Sequence, residues 1–167
     1  MKIVITLFLF CGVLVAQDMQ SCPMHKEHMK ATAQHQVDVE KHGDEAMGFP
    51  HDITTHHFRL MPDGGAIEVI VNDSKDTPNI QAIRSHLKHI VAMFENGDFS
   101  IPIFVHSQVP PGVSKMKDKR GEISYRLEEL PDGGRVRIKT ENKDALNAIH
   151  DFLTFQIEDH HTSDKTQ

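Results

Sequence analysis

The stretch His57-Phe58-Arg59-Leu60-Met61-Pro62-Asp63-Gly64-Gly65-Ala66-Ile67-Glu68-Val69-Ile70-Val71 decides the fold, because it comes back once in altered form. The second copy reads Arg126-Leu127-Glu128-Glu129-Leu130-Pro131-Asp132-Gly133-Gly134-Arg135-Val136-Arg137-Ile138-Lys139-Thr140. In Pro-Asp-Gly-Gly, proline presets its own backbone angle, aspartate bonds locally, and glycine accepts the left-handed conformation that a hairpin turn needs. After each turn, Ile67, Val69 and Val71 alternate with Ala66, Glu68 and Ile70, and Val136 and Ile138 alternate with Arg135, Arg137 and Lys139. A period of two with one apolar face is the signature of a half-buried strand.

Each hairpin runs into a helix. Thr77 is placed to cap the first, Pro78 suits the first helical position, and Asn96-Gly97 ends it. Ile80, Ile83, Leu87, Ile90, Val91 and Phe94 form one apolar stripe, and Leu146, Ile149, Phe152, Leu153 and Ile157 repeat it after a cap at Asn142. The expected fold class is α+β: two strand-strand-helix repeats in one two-layer domain, with a mainly antiparallel four-stranded sheet and both helices on one face. Neither half alone buries enough apolar surface, so the repeats should pack together over residues 53–161, about 110 residues. The connection Asp98 to Lys119, which carries Ile101-Pro102-Ile103-Phe104-Val105-His106 and Val109-Pro110-Pro111-Gly112, spells no known reaction. Residues 162–167 read as a short tail.

Upstream of the repeats the pattern changes. Met1-Lys2 followed by the apolar run Ile3 to Ala16 has the length of a signal-peptide core and is too short for a comfortable membrane span. Residues 1–16 are therefore expected to be a cleaved export signal, leaving no integral span, with a periplasmic location and lipid attachment at Cys22 as a further option. Residues 17–52 are polar and poor in branched aliphatics, and read as a flexible His- and Met-rich arm with one transient helix around His25 to Glu45.

Composition narrows the chemistry. The formal charge of −6 becomes about −7 once Lys2 is removed, which gives a nucleic-acid partner no electrostatic support. Thirteen histidines and eight methionines, with no tryptophan, lean toward metal chemistry. Losing Cys11 with the signal leaves Cys22 as the only cysteine, so an intramolecular disulfide is excluded.

Cys22-Pro23-Met24-His25-Lys26-Glu27-His28-Met29 gathers one thiol, two thioethers and two imidazoles within eight positions. Sulfur donors favour Cu(I), and imidazole suits copper, zinc and nickel. Cys22, Met24, His25, His28 and Met29 are the candidate ligands, with a copper ion as the expected cofactor. Cys-Pro-Met-His resembles the short metal-binding segment of periplasmic copper and heavy-metal efflux proteins, with Lys26 where a proline often follows. That likeness implies a periplasmic metal-handling partner and a role in copper buffering, sensing or delivery.

Further candidates lie in the repeats. His86, His89 and Met93 are spaced three and four apart on the first helix, a possible second metal set. His56, His106 and Tyr125 are candidates for a ligand pocket in a binding module without a metal role. His56 and His57 are neighbours on a strand and point to opposite faces. An enzyme working through His57 or His106 would need an acid, base or metal partner that no local spacing supplies. There is no Gly-x-Ser-x-Gly elbow, no His-Glu-x-x-His pair, no phosphate-binding loop and no dinucleotide fingerprint.

Thr55-His56-His57-Phe58-Arg59-Leu60 with Pro62-Asp63-Gly64-Gly65, and the segment His106 to Gly112, resemble a group of small exported bacterial proteins of unestablished function. Some of that group are called aspartate carbamoyltransferase. The chain lacks that enzyme's Ser-Thr-Arg-Thr loop and His-Pro-x-Gln segment and is about half its length, so the activity is not expected here.

Overall fold

The computed structural model describes residues 23–166. The signal segment 1–16 and Cys22 lie outside the described residues, as do the side chains of Met24 and His25. In chain order the elements are α1 (Pro23–Met47), β1 (Thr54–Met61), β2 (Gly64–Val71), α2 (Thr77–Glu95), α3 (Ser100–His106), α4 (Val113–Asp118), β3 (Ile123–Leu130), β4 (Gly133–Thr140) and α5 (Lys143–Asp159). The fold is α+β, and its four-stranded sheet has the order β1-β2-β4-β3 with every neighbouring pair antiparallel.

The repeat makes the sheet internally symmetric. Ile67 pairs with Val136 at the centre, and these are equivalent positions of the two copies. The pairs on either side exchange roles, Gly64 with Lys139 and Gly133 with Ile70. Each helix packs on the other copy's hairpin: α2 lies chiefly against β3 and β4, and α5 against β1 and β2. One polar side chain on each helix fastens the opposite turn. Arg84 donates to the carbonyls of Leu130 and Gly133 at 2.6 and 3.0 Å, and His150 Nε2 donates to those of Met61 and Gly64 at 2.9 and 3.0 Å. Each contact ties one repeat to the other.

The turns differ from expectation in one respect. Only Pro62-Asp63 and Pro131-Asp132 form the loops, while the glycines open β2 and β4. Their value is close approach: a Cβ at Gly133 would stand 2.0 Å from the Val69 carbonyl oxygen, and one at Gly64 2.1 Å from that of Ile138. At the helix starts, Asp76 caps α2 in place of Thr77, and Asn142 caps α5 as expected.

Phe58, Val69, Leu87, Phe94, Val136, Ile138, Phe152 and Leu153 are core members between sheet and helices. The opposite face of the sheet carries charge. Glu68, only 5% exposed, is held between Arg59 and Arg135, and Arg135 also reaches Glu128. Asp164, in the expected tail, accepts from the Phe58 amide at 3.0 Å and lies 3.1 Å from His57 Nδ1. That segment is therefore fastened to β1.

The boundary of the arm also moves. The chain divides after Ala33, and the residues from Gln34 onward form one compact unit. Residues expected in the arm thus belong to that unit, where Val39 and Phe49 are buried. Before Gln34 the described residues are helical, with His28 and Met29 exposed. The connection between the repeats is likewise structured, by α3 and α4. Among the described residues no helix is long and apolar enough to cross a membrane.

Candidate functional site

Between the sheet and its surrounding helices lies a cavity of about 120 Å³. Phe58 and Val69 from the sheet, Leu87 and Phe94 from α2, Val105 from α3 and Phe152 from α5 supply apolar walls. Glu40, Gly43 and Met47 of α1 close one side. Into this setting project His56, His86, His106, His160 and Gln156, with His51 at the margin. Five imidazoles around a mainly apolar space are not what core packing alone would select.

His106 ends α3 and is 1% exposed. Its Nδ1 lies 2.5 Å from Asp159 Oδ2, and its Nε2 lies 2.9 Å from Gln156 Oε1. Asp159 also holds His35 Nε2, at 2.9 Å, so one carboxylate joins α1, α3 and α5. Burial works to raise the Asp159 pKa, but the hydrogen bonds from His35 and His106 outweigh it and keep the carboxyl below its ordinary value.

His56, His86 and His160 are uncharged at neutral pH. Burial pushes His56 and His86 down to about 4, with neighbouring histidines adding a smaller push. His160 is pushed down to about 3, again first by burial and then by His106 and His56. Each retains some surface, yet the packing around the ring desolvates it, and no hydrogen bond contributes to its shift. The His56 and His160 rings are nearly parallel, 5° apart with centroids separated by 5.9 Å, and Phe58 continues the stack against His160 at 5.4 Å. His160 meets His106 edge-on at 5.0 Å.

Gln156 completes the site. The residue is 4% exposed, its side-chain amide meets His106 Nε2 through one atom, and the other amide atom has no hydrogen-bond partner. A buried polar group left unpaired costs about 1–3 kcal/mol.

The structure brings some of the expected residues together and separates others. His56 and His106 share the cavity wall, but Tyr125 does not line it. Tyr125 is instead buried beside Phe94, where desolvation pushes its hydroxyl upward and leaves it without a partner. His86 faces the cavity, His89 is exposed and Met93 is half-buried against the core, so these three do not converge. Among the described residues no three His, Cys, Asp or Glu side chains are arranged to hold one metal ion. His57 and His106 each have a carboxylate partner invisible to local spacing, Asp164 and Asp159 respectively.

Gln156, Asp159 and His160 were not singled out from the sequence. The signal was present, since Gln156 and His160 continue the stripe Ile149, Phe152, Leu153, Ile157 at helical spacing. Polar residues on an apolar stripe mark a place where the core has another purpose. Comparison with protein-family models, curated proteins and solved structures finds no match for this chain.

Proposed function

We propose that the unit from Gln34 onward is a binding module for a small molecule held in the cavity between sheet and helices. The observation that carries this reading is an apolar cavity into which the uncharged imidazoles of His56, His86 and His160 project. Cavities of about 150 Å³ with apolar linings take up benzene, so the space here suits a ligand of comparable size. The test is a titration with benzene, read from the methyl resonances of Val69, Leu87 and Val105. Saturable shifts confined to these wall residues support the module. Shifts spread over the surface, or none up to the solubility of benzene, contradict it.

The donors near the N-terminus support a second role, soft-metal capture by an exported protein. His28 is exposed on α1 and Met29 is 58% exposed beside it, so neither is spent on packing. Together with Cys22, Met24 and His25 they would bind Cu(I) for buffering, sensing or delivery. Titration of the protein with Cu(I) under reducing conditions tests this. Replacing all five donors should abolish tight binding, and unchanged affinity after that replacement removes the role.

A further inference from the structure

We infer that the free edge of β3 pairs with the same edge of a second copy of this chain, joining two four-stranded sheets into one about a twofold axis.

The sheet has two edges, β1 and β3, which the internal repeat makes equivalent. Phe58 and Leu127 hold the same place, opposite Ile67 and Val136 respectively. The Phe58 amide points away from β2 and donates to Asp164, so the tail closes that edge. The Leu127 amide accordingly points away from β4, and among the described residues nothing accepts it. The side chains differ in the same sense. Phe58 is buried against His160, while Leu127 packs on the core yet stays half-buried at the open margin. An edge with unbonded amides and an apolar side chain is a template for another strand.

Charge selects the occupant and the register. Ser124, Arg126, Glu128 and Leu130 share the sheet face away from the helices. Arg126 is exposed and has no ion-pair partner among the described residues, and Glu128 is 39% exposed beside Arg135. An antiparallel copy centred on Leu127 sets Arg126 against Glu128 twice, once on each side of the axis. The two Leu127 side chains then cover each other. The outward amides of Tyr125, Leu127 and Glu129 gain partners, and the Arg126–Glu128 pairs fall at the positions between, where facing side chains stand closest. Centring on Arg126 or on Glu128 would oppose like charges instead. A strand whose charges complement its own reversed copy fits a twofold interface, so the occupant is the same chain.

The experiment is sedimentation equilibrium on the full chain at low salt, up to about 1 mM, with amide exchange followed alongside. The mass should rise to that of a dimer, and exchange at the Tyr125, Leu127 and Glu129 amides should slow in step. Arg126→Glu alone should weaken the dimer at least about tenfold, because like charges then meet at two places, and Glu128→Arg alone should do the same. An equimolar mixture of the two variants should dimerise again, since each supplies the charge the other needs. A monomer at every concentration overturns the inference, as does a dimer whose three edge amides exchange at the monomer rate. A dimer that either folded variant leaves equally tight, or a mixture that stays monomeric, also overturns it. If a variant does not fold, exchange at the three amides of the unmodified chain still decides the matter.

Discussion

Acid should unfold this protein earlier than its carboxylates alone would dictate. His56 and His86 have folded-state pKa values of about 4 and His160 about 3, against 6.5 for an unhindered imidazole. A group whose pKa is depressed by folding contributes its stability in full above the unfolded value and loses it as pH falls toward the folded one. Below 6.5 the unfolded chain takes up protons that these three folded rings refuse. Each adds a slope of about 1.4 kcal/mol per pH unit, so together they approach ~4 kcal/mol per unit between pH 6 and pH 4. Across those two units the three rings together remove about 7 kcal/mol, comparable to the 5–15 kcal/mol that a domain holds. Urea unfolding followed by circular dichroism at pH 7.5, 6.5, 5.5 and 5.0 measures the slope. His56→Phe, which keeps the stack on Phe58 and His160 but removes one titrating ring, should flatten it by about a third. Midpoints that stay constant from pH 7.5 to pH 5.0 would refute the claim that these imidazoles are held neutral.

Other perturbations follow from single contacts. Asp159→Ala strands the deeply buried His106 Nδ1 and should cost about 3 kcal/mol, whereas His35→Ala removes a half-exposed partner and should cost under about 1 kcal/mol; denaturant midpoints compare them. Gly112→Ala should cost about 3 kcal/mol or more, because φ is +79° and the new Cβ would stand 2.0 Å from the Ala148 carbonyl oxygen; a thermal melt reports it. Arg84→Ala leaves the Leu130 and Gly133 carbonyls without their side-chain donor and should cost about 1–2 kcal/mol, with amide exchange quickening at the β3–β4 turn.

How much of this was legible in the sequence depends on the range of the interaction. The repeated Pro-Asp-Gly-Gly, the alternation beside it and the apolar stripes that follow are local signals, and they carried the strands, the two helices of the repeats and the antiparallel sheet. Symmetry then follows from pairing Ile67 with Val136, which similarity between the copies anticipates but does not state. The Asn142 cap was readable because its partners lie two and three residues away. The buried half of α1 was not, because Val39 stands almost alone as an apolar residue in a polar stretch and is buried by the tertiary fold.

The site divides along the same line. His56 and His106 were each conspicuous, and the fold brings both to one cavity. Tyr125 aligns with His56 across the repeat, yet symmetry sends it to the opposite end of the sheet, away from that cavity. The pairing of His106 with Asp159 spans 53 positions, and that of His57 with Asp164 spans 107. No spacing rule reaches so far. The glycines of the turns were read as conformational devices when their stronger constraint is the neighbouring strand, a contact that exists only after the two hairpins meet.

The central claim, that a cavity walled by apolar side chains and the uncharged imidazoles of His56, His86 and His160 holds a small guest, is tested most directly at its walls. A benzene titration followed at the Val69, Leu87 and Val105 methyls should give saturable shifts confined to those residues. Methyls that stay fixed up to the solubility of benzene would contradict the account.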